Sequence, residues 1–389
     1  MHGTVNNVVV FVSDALRYDH LPASLVDDGL ALKTVAASID TSTAIPSMVT
    51  GLRPPGHGVF SFEHRLPAGT PTVFDLEGYD TGFYNAAGPD DGLNSVLRRE
   101  ELTRLEELEP PFCYVERDHG GHHPYHGVGY EGGLEAFRKE FAGDVARTRR
   151  TYAEAIEASV ERFRDRIRTI EERGLLEETL LVFTSDHGEL LGENGLVGHL
   201  TPVHPEVVYV PTLFVGPDLP EASAVDQSFM GHVDLLPTLL GALGEPAPGP
   251  LDGVDVLDPG TPRIDRRYNF AAKSVYVGDR PFWLYRASSL WDDAGGHVFN
   301  RSSWPGRLAS AGYLLAGRKW MSRHVRRLPW EFPAAARGYL ESERTFGSPG
   351  FSAATARETV ERIETERTDA ESVDLDDAVK RRLEQLGYR

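Results

Sequence analysis

Three short apolar runs, each leading into acidic side chains, constrain the fold of this chain more than any other feature. The runs and their followers are residues 8–12 with Asp14, residues 112–115 with Glu116 and Asp118, and residues 180–183 with Asp186 and His187. Each run has the length and the β-branched or aromatic content of a buried strand. In open α/β sheets, ligands bind outside the carboxyl ends of the strands. The sequence therefore predicts an α/β fold in which these acidic groups converge on one crevice.

Between and after these runs, apolar spacing predicts helices, and a Pro- and Gly-rich stretch predicts a domain boundary. Residues 134–173 repeat apolar side chains at intervals of three and four among Arg and Glu, which indicates one long amphipathic helix or a pair that ends at Gly174. A strand over residues 207–215 and a helix over 232–243 precede a Pro- and Gly-rich stretch, 244–262. We take this stretch to separate a region of residues 1–260 from a C-terminal subdomain of residues 261–389.

The C-terminal subdomain carries no clear chemical motif. Residues 274–285 and 312–321 are rich in Tyr, Trp and Arg and are predicted to be antiparallel strands, and residues 351–367 and 375–386 are predicted to be helices.

Charge and cysteine content exclude several classes of protein. The net charge of −19 argues against nucleic acid as a partner. A single cysteine, Cys113, excludes an intrachain disulfide and a Cys-rich metal site. No segment reaches about 18 uninterrupted apolar residues, and the first residues lack a basic start. We expect a cytoplasmic protein without a membrane span, and the sequence gives no indication of oligomeric state.

Histidines and hydroxyls supply the candidate chemistry. His119, His122, His123 and His126 lie in DHGGHHPYH, and His199 ends GLVGH. A divalent cation needs several anionic or imidazole ligands from separated segments, as Asp14, Asp186 and His187 could provide. Residues 41–51, TSTAIPSMVTG, enter a predicted helix. Their hydroxyls either cap that helix or include a nucleophile at its N-terminus.

Five segments in this order resemble the sulfatase and alkaline phosphatase superfamily, specifically its sulfatase-like branch. They are VVVFVSDALRYDHL, TSTAIPSMVTGLRPPGHGV, ERDHGGHHPY, LLVFTSDHGELLGENGLVGH and GHVDLLPTLLGALG, between about residues 6 and 245. The resemblance implies an alkaline-phosphatase-like three-layer sandwich, with a large, mostly parallel central sheet flanked by helices. It implies a metal-dependent catalytic domain over residues 1–260, with a smaller C-terminal α+β part that contains an antiparallel sheet packed on it.

The resemblance also implies roles for individual residues. Asp14, Asp186 and His187 match metal ligands, and Thr41 matches the metal-bound nucleophile by its spacing to Thr50-Gly51. Ser42 and Thr43 are alternatives, because the proline that usually stands two residues after the nucleophile is absent.

Two further histidines match catalytic positions of the family. His122 matches the histidine that contacts the ester, and His199 matches the residue that reaches the ester oxygens or the leaving group. Asp118 and His122 also have the D-x-x-x-H spacing that binds a second metal in two-metal relatives. The third ligand of such a site would be His199, His204 or His232, although a structural role is favoured for His232.

Departures from the family pattern limit the mechanism. Thr41 cannot become the formylglycine of many sulfatases, Ala15 replaces their second aspartate, and no GKWHLG-like element is present. His187 favours Mn²⁺ or Zn²⁺, with Ca²⁺ as an alternative.

The sequence thus predicts a metal-dependent hydrolase of phosphate or sulfate esters that uses a Thr nucleophile on a divalent metal. The substrate would be a small-molecule or glycan-linked anionic ester. Transfer of a phospho group to a glycan or lipid head group, and a catalytically degenerate binding protein, are the alternatives. Because the chain is acidic, local positive charge is expected from the metal with His122 and His199.

Overall fold

The computed structural model describes residues 5–130, 132–199, 202–217, 219–220, 229–277, 280–317, 319–366, 368, 371–373, 375 and 377–386. The strands are β1 Asn7–Ser13, β2 Leu30–Val35, β3 His64–Arg65, β4 Asp80–Asn85, β5 Phe112–Asp118, β6 Thr179–Thr184, β7 Leu190–Leu191, β8 Val197–Gly198, β9 Tyr209–Val215, β10 Phe229–Gly231, β11 Arg267–Val277, β12 Arg280–Trp291, β13 Gly295–Asn300, β14 Glu343–Gly347 and β15 Glu371–Ser372. The α-helices are α1 Ala23–Val26, α2 Thr41–Thr50, α3 Pro54–His57, α4 Gly92–Val96, α5 Leu134–Glu140, α6 Val145–Glu172, α7 Pro205–Val208, α8 Leu235–Leu243, α9 Trp304–Ala316, α10 Trp320–Arg327, α11 Phe332–Leu340, α12 Ala353–Thr365 and α13 Asp377–Leu386.

A seven-stranded sheet in the order β10-β2-β9-β6-β1-β5-β4 forms the centre of the fold. Only β9 runs antiparallel to its neighbours within this sheet, and the other pairings are parallel. The central strands β1, β5 and β6 are buried along their whole length, as their continuous apolar runs predict. The α/β prediction is therefore confirmed. β5 extends further than predicted, so that Glu116 and Asp118 belong to the strand itself.

Helices cover both faces of this sheet. Alternate residues of β1 enter two apolar cores, because side chains of a strand alternate between its faces. Val9 and Phe11 pack in the core that contains α6, and Val10 packs in the core that contains α2 and α8. The amphipathic pattern of residues 134–173 forms the pair α5 and α6, and Gly174 follows α6 with a φ of +71°.

The C-terminal part contains the expected antiparallel sheet, β11-β12-β13-β14. The predicted strand over residues 312–321 is wrong: this segment belongs to helices α9 and α10. Ala311 and Leu314, three residues apart, are buried on α9, and Trp320 and Met321 are buried on α10. These side chains pack in the core as helix faces, which overrides the strand preference of the aromatic residues.

Several contacts join the C-terminal sheet to the central region, and a backbone hydrogen bond is one of them. The backbone N–H of Phe270 on β11 donates to the carbonyl of Ala37, 2.8 Å away, in the segment between β2 and α2. No helix among the described residues has the length and apolarity needed to cross a membrane.

Candidate active site

The carboxyl ends of β1 and β6 bring the two aspartates together. These strands pair in parallel with Val12 opposite Thr184, so the segments after them leave the sheet side by side. The N–H of Ala15 donates to Asp186 Oδ1 at 3.1 Å. Ala15 has a φ of +60°, an unfavourable backbone conformation for a residue with a Cβ atom. This turn holds Asp14 next to Asp186.

Thr41 reaches the aspartates from the first turn of α2. Asp40 caps this helix by accepting from the N–H of Ser42 at 3.0 Å, and it also accepts from the Ser42 hydroxyl. The capping role that the sequence allowed for a hydroxyl is thus taken by Asp40. Thr41 Oγ1 lies 3.2 Å from His187 Nε2. Asp14, Thr41, Asp186 and His187, here called the central cluster, have no solvent-exposed surface.

The central cluster has the donor set of a cation site. Asp14 Oδ1 and Asp186 Oδ2 are buried without a hydrogen-bond partner, and they lie 3.7 and 3.6 Å from His187 Nε2. His187 Nδ1 lies 2.9 Å from the carbonyl of Gly188, which orients Nε2 toward the carboxylates. Burial of two unpartnered carboxylate oxygens is costly unless a cation joins them. Two carboxylates and an imidazole therefore fit a divalent metal ion.

The two carboxyl groups titrate differently. Burial and the nearby Asp186 raise the pKa of Asp14 to about 7, although Arg117 opposes this. Burial also acts to raise the pKa of Asp186, but His187 and Arg117 outweigh it and hold that pKa below its ordinary value. Asp14 and Asp186 thus behave as two closely spaced like charges, and Asp14 takes up a proton more readily than Asp186.

Arg117 is a buried cation of this region that the sequence analysis missed. It comes from β5, its guanidinium contacts the Asp14 carboxylate, and its Nη1 donates to Asn85 Oδ1 at 3.3 Å. Its side chain is only 4% exposed. A run of three charged residues, Glu116 to Asp118, at the end of a buried strand could have signalled buried ion pairs.

Asp118, which was predicted to hold a second metal with His122, is engaged by helix α6. Asp118 accepts from Arg162 Nε and Nη2, both at 2.7 Å, and from the Ser159 hydroxyl at 2.7 Å. Both carboxylate oxygens are occupied by residues of α6, because consecutive residues of β5 point to opposite faces of the sheet. Arg117 consequently faces Asp14 while Asp118 faces α6.

A second group, here called the histidine cluster, lies beside the central cluster. It consists of His122, His123 and His199, which could each offer a ligand atom within 4.8 Å of the others. The rings of His187 and His199 stack with centroids 4.2 Å apart. Glu189, which the sequence analysis also missed, is fully buried with Oε2 3.6 Å from His199 Nδ1.

The titration of His122 and His199 changes the expected source of positive charge. Burial and neighbouring groups, first His123 and then Arg117, lower the pKa of His122 well below its ordinary value. Burial and then His187 do the same to the pKa of His199. These imidazoles are neutral near pH 7, so Arg117 is the protein cation in contact with the central cluster.

The remaining histidines of interest lie outside both clusters. His119 and His126 stack on each other with centroids 4.0 Å apart. His204 Nε2 accepts from Arg344 at 3.0 Å. His232 Nδ1 accepts from the N–H of Ala37 at 3.2 Å, and its Nε2 donates to the carbonyl of Ser185 at 2.9 Å. Through these contacts His232 links the segment between β2 and α2 to the segment that follows β6.

A cavity of about 330 Å³ has His232 in its lining. Its lining includes Arg53 and Arg267, which form ion pairs with Asp252 and Asp234, and no residue of the central cluster. We therefore place the candidate chemistry at the buried carboxylates, because the donor geometry lies there.

Comparison with known proteins shows the family of the chain. The sulfatase family profile matches residues 100–245. The low-salt glycan biosynthesis sulfotransferase Agl7 of Haloferax volcanii is 37% identical over 318 residues, which cover 79% of this chain and 78% of that protein. The chain belongs to the sulfatase and alkaline phosphatase superfamily.

Solved structures of this superfamily share its fold at low sequence identity. Phosphonate monoester hydrolase of Agrobacterium radiobacter is 15% identical with a TM-score of 0.56, and the match covers 86% of this chain and 96% of that one. A sulfatase from the glycosaminoglycan metabolism of Bacteroides thetaiotaomicron is 12% identical with a TM-score of 0.57, over 86% and 99% of the two chains. The expected fold with a large, mostly parallel sheet and a C-terminal antiparallel sheet is confirmed.

Enzymes of the sulfatase family generally use a divalent metal, and the central cluster offers the ligands for one. In this chain the hydroxyl of Thr41 lies next to those ligands, at the position predicted for the nucleophile.

Proposed function

We propose that this sulfatase-family chain cleaves sulfate or phosphate esters of small molecules or glycans with Thr41 as nucleophile and a divalent metal as cofactor. The observation that carries the proposal is the 3.2 Å distance between Thr41 Oγ1 and His187 Nε2 inside a buried pair of aspartates. Mn²⁺ or Zn²⁺ is favoured because an imidazole is among the ligands.

Asp14, Asp186 and His187 would hold the metal ion. A divalent cation at this position stabilises an alkoxide and withdraws charge from ester oxygens. Asp186 remains ionised because His187 and Arg117 keep its pKa low. Arg117 balances the charge of Asp14, so the ester does not approach two uncompensated carboxylates.

The reaction proceeds in two displacements. Thr41 Oγ1 forms a bond to the sulfur or phosphorus atom, while the bond from that atom to the alcohol oxygen breaks and the alcohol leaves with a proton. Water then attacks the Thr41 ester, releases sulfate or phosphate and restores the hydroxyl. The ring of His199 stacks on that of His187, and the ring of His122 lies 5.0 Å from that of His199. His122 and His199 are proposed to hydrogen-bond the ester oxygens and the leaving oxygen.

Transfer to an alcohol of a glycan is the second candidate. Its support is the name of the Haloferax volcanii relative, a glycan biosynthesis sulfotransferase that is 37% identical to this chain. The first displacement is the same, and a glycan hydroxyl replaces water in the second. A sulfuryl group is then favoured over the phospho group that the sequence alone suggested.

The test compares 4-nitrophenyl sulfate and 4-nitrophenyl phosphate in the presence of Mn²⁺, Zn²⁺ or Ca²⁺ supplied separately. We expect turnover of at least one ester, and a loss of several powers of ten in kcat for Thr41→Ala. Ser42→Ala is the matched control, because that hydroxyl is engaged by Asp40. Full turnover by Thr41→Ala would overturn the nucleophile assignment.

The covalent intermediate is common to both candidate reactions, and the acceptor of its group separates them. Rapid quenching should reveal a Thr41 peptide heavier by one SO₃ or one PO₃H group. If added glycan alcohols accept the group in preference to water, the enzyme is a transferase, and if inorganic sulfate or phosphate is the only product, it is a hydrolase.

A further inference from the structure

The cavity that has His232 in its lining, here called the arginine cavity, concentrates positive charge in an acidic chain. Its volume of about 330 Å³ falls within the range of small-ligand pockets, about 300–1,000 Å³. In the whole chain, acidic residues outnumber Lys and Arg by 59 to 40. The lining reverses this balance, with five arginines and two acidic residues: Arg53, Arg263, Arg266, Arg267 and Arg362 against Asp252 and Asp265.

Three of these arginines form ion pairs in the cavity wall. The pairs are Arg53 with Asp252, Arg267 with Asp234 and Arg263 with Asp265, with N···O distances of 2.7, 2.6 and 3.7 Å. Both acidic residues of the lining are therefore already engaged, and Asp234 is fully buried. Arg267 is almost completely buried, yet its Nη2 has no hydrogen-bond partner.

The other two arginines of the lining are not balanced by carboxylates. Arg266 is half-buried, and its guanidinium carbon lies 5.4 Å from the ring centroid of Phe351. Arg362, on α12, is exposed. Within the described part of the chain, neither guanidinium forms an ion pair. The cavity therefore keeps an excess of positive charge after its acidic residues are paired.

The arginine cavity also has apolar walls. Val35, Val233, Leu290 and Ile363 contribute to its lining, from β2, the segment after β10, β12 and α12. A pocket that combines apolar side chains with a few charged groups is typical of sites for organic ligands. An inorganic ion would leave these walls in contact with water, whereas an apolar group attached to the ion would cover them.

This cavity is separate from the central cluster, although one residue links the two. Among the described residues that line it, none belongs to the central cluster or to the histidine cluster. His232 lines the cavity, and its Nε2 donates to the carbonyl of Ser185, the residue before Asp186. A ligand in the cavity would therefore leave the position of the reacting ester open.

We propose that the arginine cavity is a second ligand site, which binds a phosphate or sulfonate-like oxyanion attached to a small apolar group. Arg266 and Arg362 are its charged contacts, because a guanidinium presents paired N–H donors that match two oxygens of a tetrahedral oxyanion. Val233 and Leu290 contact the apolar group. The inference goes beyond the proposed function, since it requires neither the metal ion nor Thr41.

Calorimetry with the metal-free protein tests this site without turnover. The probes are phenylphosphonate and benzenesulfonate, which contain no ester bond, and benzyl alcohol is the neutral comparison. We expect at least one of the two anions to bind about tenfold more tightly than benzyl alcohol, the effect of one charge-assisted hydrogen bond. Inorganic phosphate and sulfate should bind more weakly than the organic anions, because they leave the apolar walls uncovered.

Substitutions in the lining assign the binding to the cavity. Arg266→Gln and Arg362→Gln should each weaken binding of the anion by about tenfold. Arg362→Lys keeps the charge and should bind the anion more tightly than Arg362→Gln. Arg357→Gln is the matched control, because Arg357 lies on the same helix, pairs with Glu343 and does not line the cavity. Circular dichroism checks that each variant is folded.

The outcomes separate this site from the central cluster. If neither anion binds more tightly than benzyl alcohol, or if Arg357→Gln weakens binding as much as Arg362→Gln, the site is wrong. If Arg117→Gln removes the binding while Arg266→Gln and Arg362→Gln leave it intact, the anion occupies the central cluster and the proposal also fails. If the cavity binds the anion but no ester is cleaved, the site stands and the proposed reaction fails.

Discussion

The guanidinium of Arg117 lies against the carboxylate of Asp14, and both side chains are almost completely buried. The contact joins the end of β5 to the end of β1 at the point where a cation is expected. Arg117 therefore compensates a charge that the fold has removed from water, whether or not a metal ion is bound.

Arg117→Gln should destabilise the metal-free protein more than the metal-loaded protein. Removing one partner of a buried ion pair costs about 3–5 kcal/mol, because it leaves the other charge uncompensated. Urea unfolding of the metal-free variant should show this loss, and saturating Mn²⁺ should recover part of it. Arg166→Gln breaks a partly exposed pair with Glu116 and serves as the control. Equal effects with and without Mn²⁺ would argue against Asp14 as a metal ligand.

Metal binding should depend on Asp14 but not on Asp118. Mn²⁺ or Zn²⁺ should raise the thermal midpoint of the wild-type protein, because a ligand that binds only the folded state stabilises it. Asp14→Asn should abolish this rise. Asp118→Asn is expected to lower the midpoint in the absence of metal, since Arg162 and Ser159 lose their partner, yet it should keep the rise. If Asp118→Asn bound less metal than the wild-type protein, the result would support Asp118 as a ligand of a second metal ion.

Gly120→Ala should disrupt the turn that supports Asp14. A Cβ atom at Gly120 would lie 2.2 Å from the carbonyl oxygen of Asp14, and the residue has a φ of +48°. Gly129→Ala is a matched control, because Gly129 has a φ of +71° but open space around it. The control should cost about 1 kcal/mol from backbone strain alone, and the Gly120 variant several times more. Chemical unfolding curves of similar midpoint for both variants would contradict the close contact.

His57 should make the protein sensitive to acid. Its Nδ1 accepts from the N–H of Val59 at 3.1 Å, and its Nε2 lies 3.0 Å from the Ser47 hydroxyl of α2. Burial lowers the pKa of His57 to about 3, below its ordinary 6.5. The unfolded chain therefore takes up the proton first, and stability falls as the pH drops through the interval between these values.

A shift of this size predicts a loss of about 2 kcal/mol between pH 7 and pH 5 from this residue alone. His57→Gln should be less stable at pH 7 but should lose correspondingly less on acidification. His20→Gln, at a half-buried position, controls for general effects of histidine removal. An unchanged pH dependence in His57→Gln would show that His57 is not the responsible group.

The strands and three members of the central cluster were predictable because their signals are local, whereas Thr41 was assigned only by the family resemblance. Asp14, Asp186 and His187 directly follow continuous apolar runs, and such runs form central strands in a parallel sheet. The position of Arg117 could not be predicted in the same way, since its contact exists only because β1 and β5 are neighbours.

The C-terminal part was less predictable because its chemistry depends on tertiary packing. Residues 312–321 carry aromatic side chains that favour strands, yet their buried faces repeat with helical spacing. Trp320 has no motif around it, and only the fold brings its ring to 5.1 Å from that of His123. The boundary between residues 1–260 and 261–389 and the cytoplasmic location stay predictions.

The hydrogen bond from Ala15 to Asp186 spans 171 residues of sequence. Contacts between such distant segments form late in folding, because the loop between them must first be ordered. A chain that has completed β1 but not β6 therefore has one of the three proposed metal ligands and no site. Metal uptake during refolding would consequently report completion of the whole central sheet, and a nascent or truncated chain would be unable to begin ester chemistry.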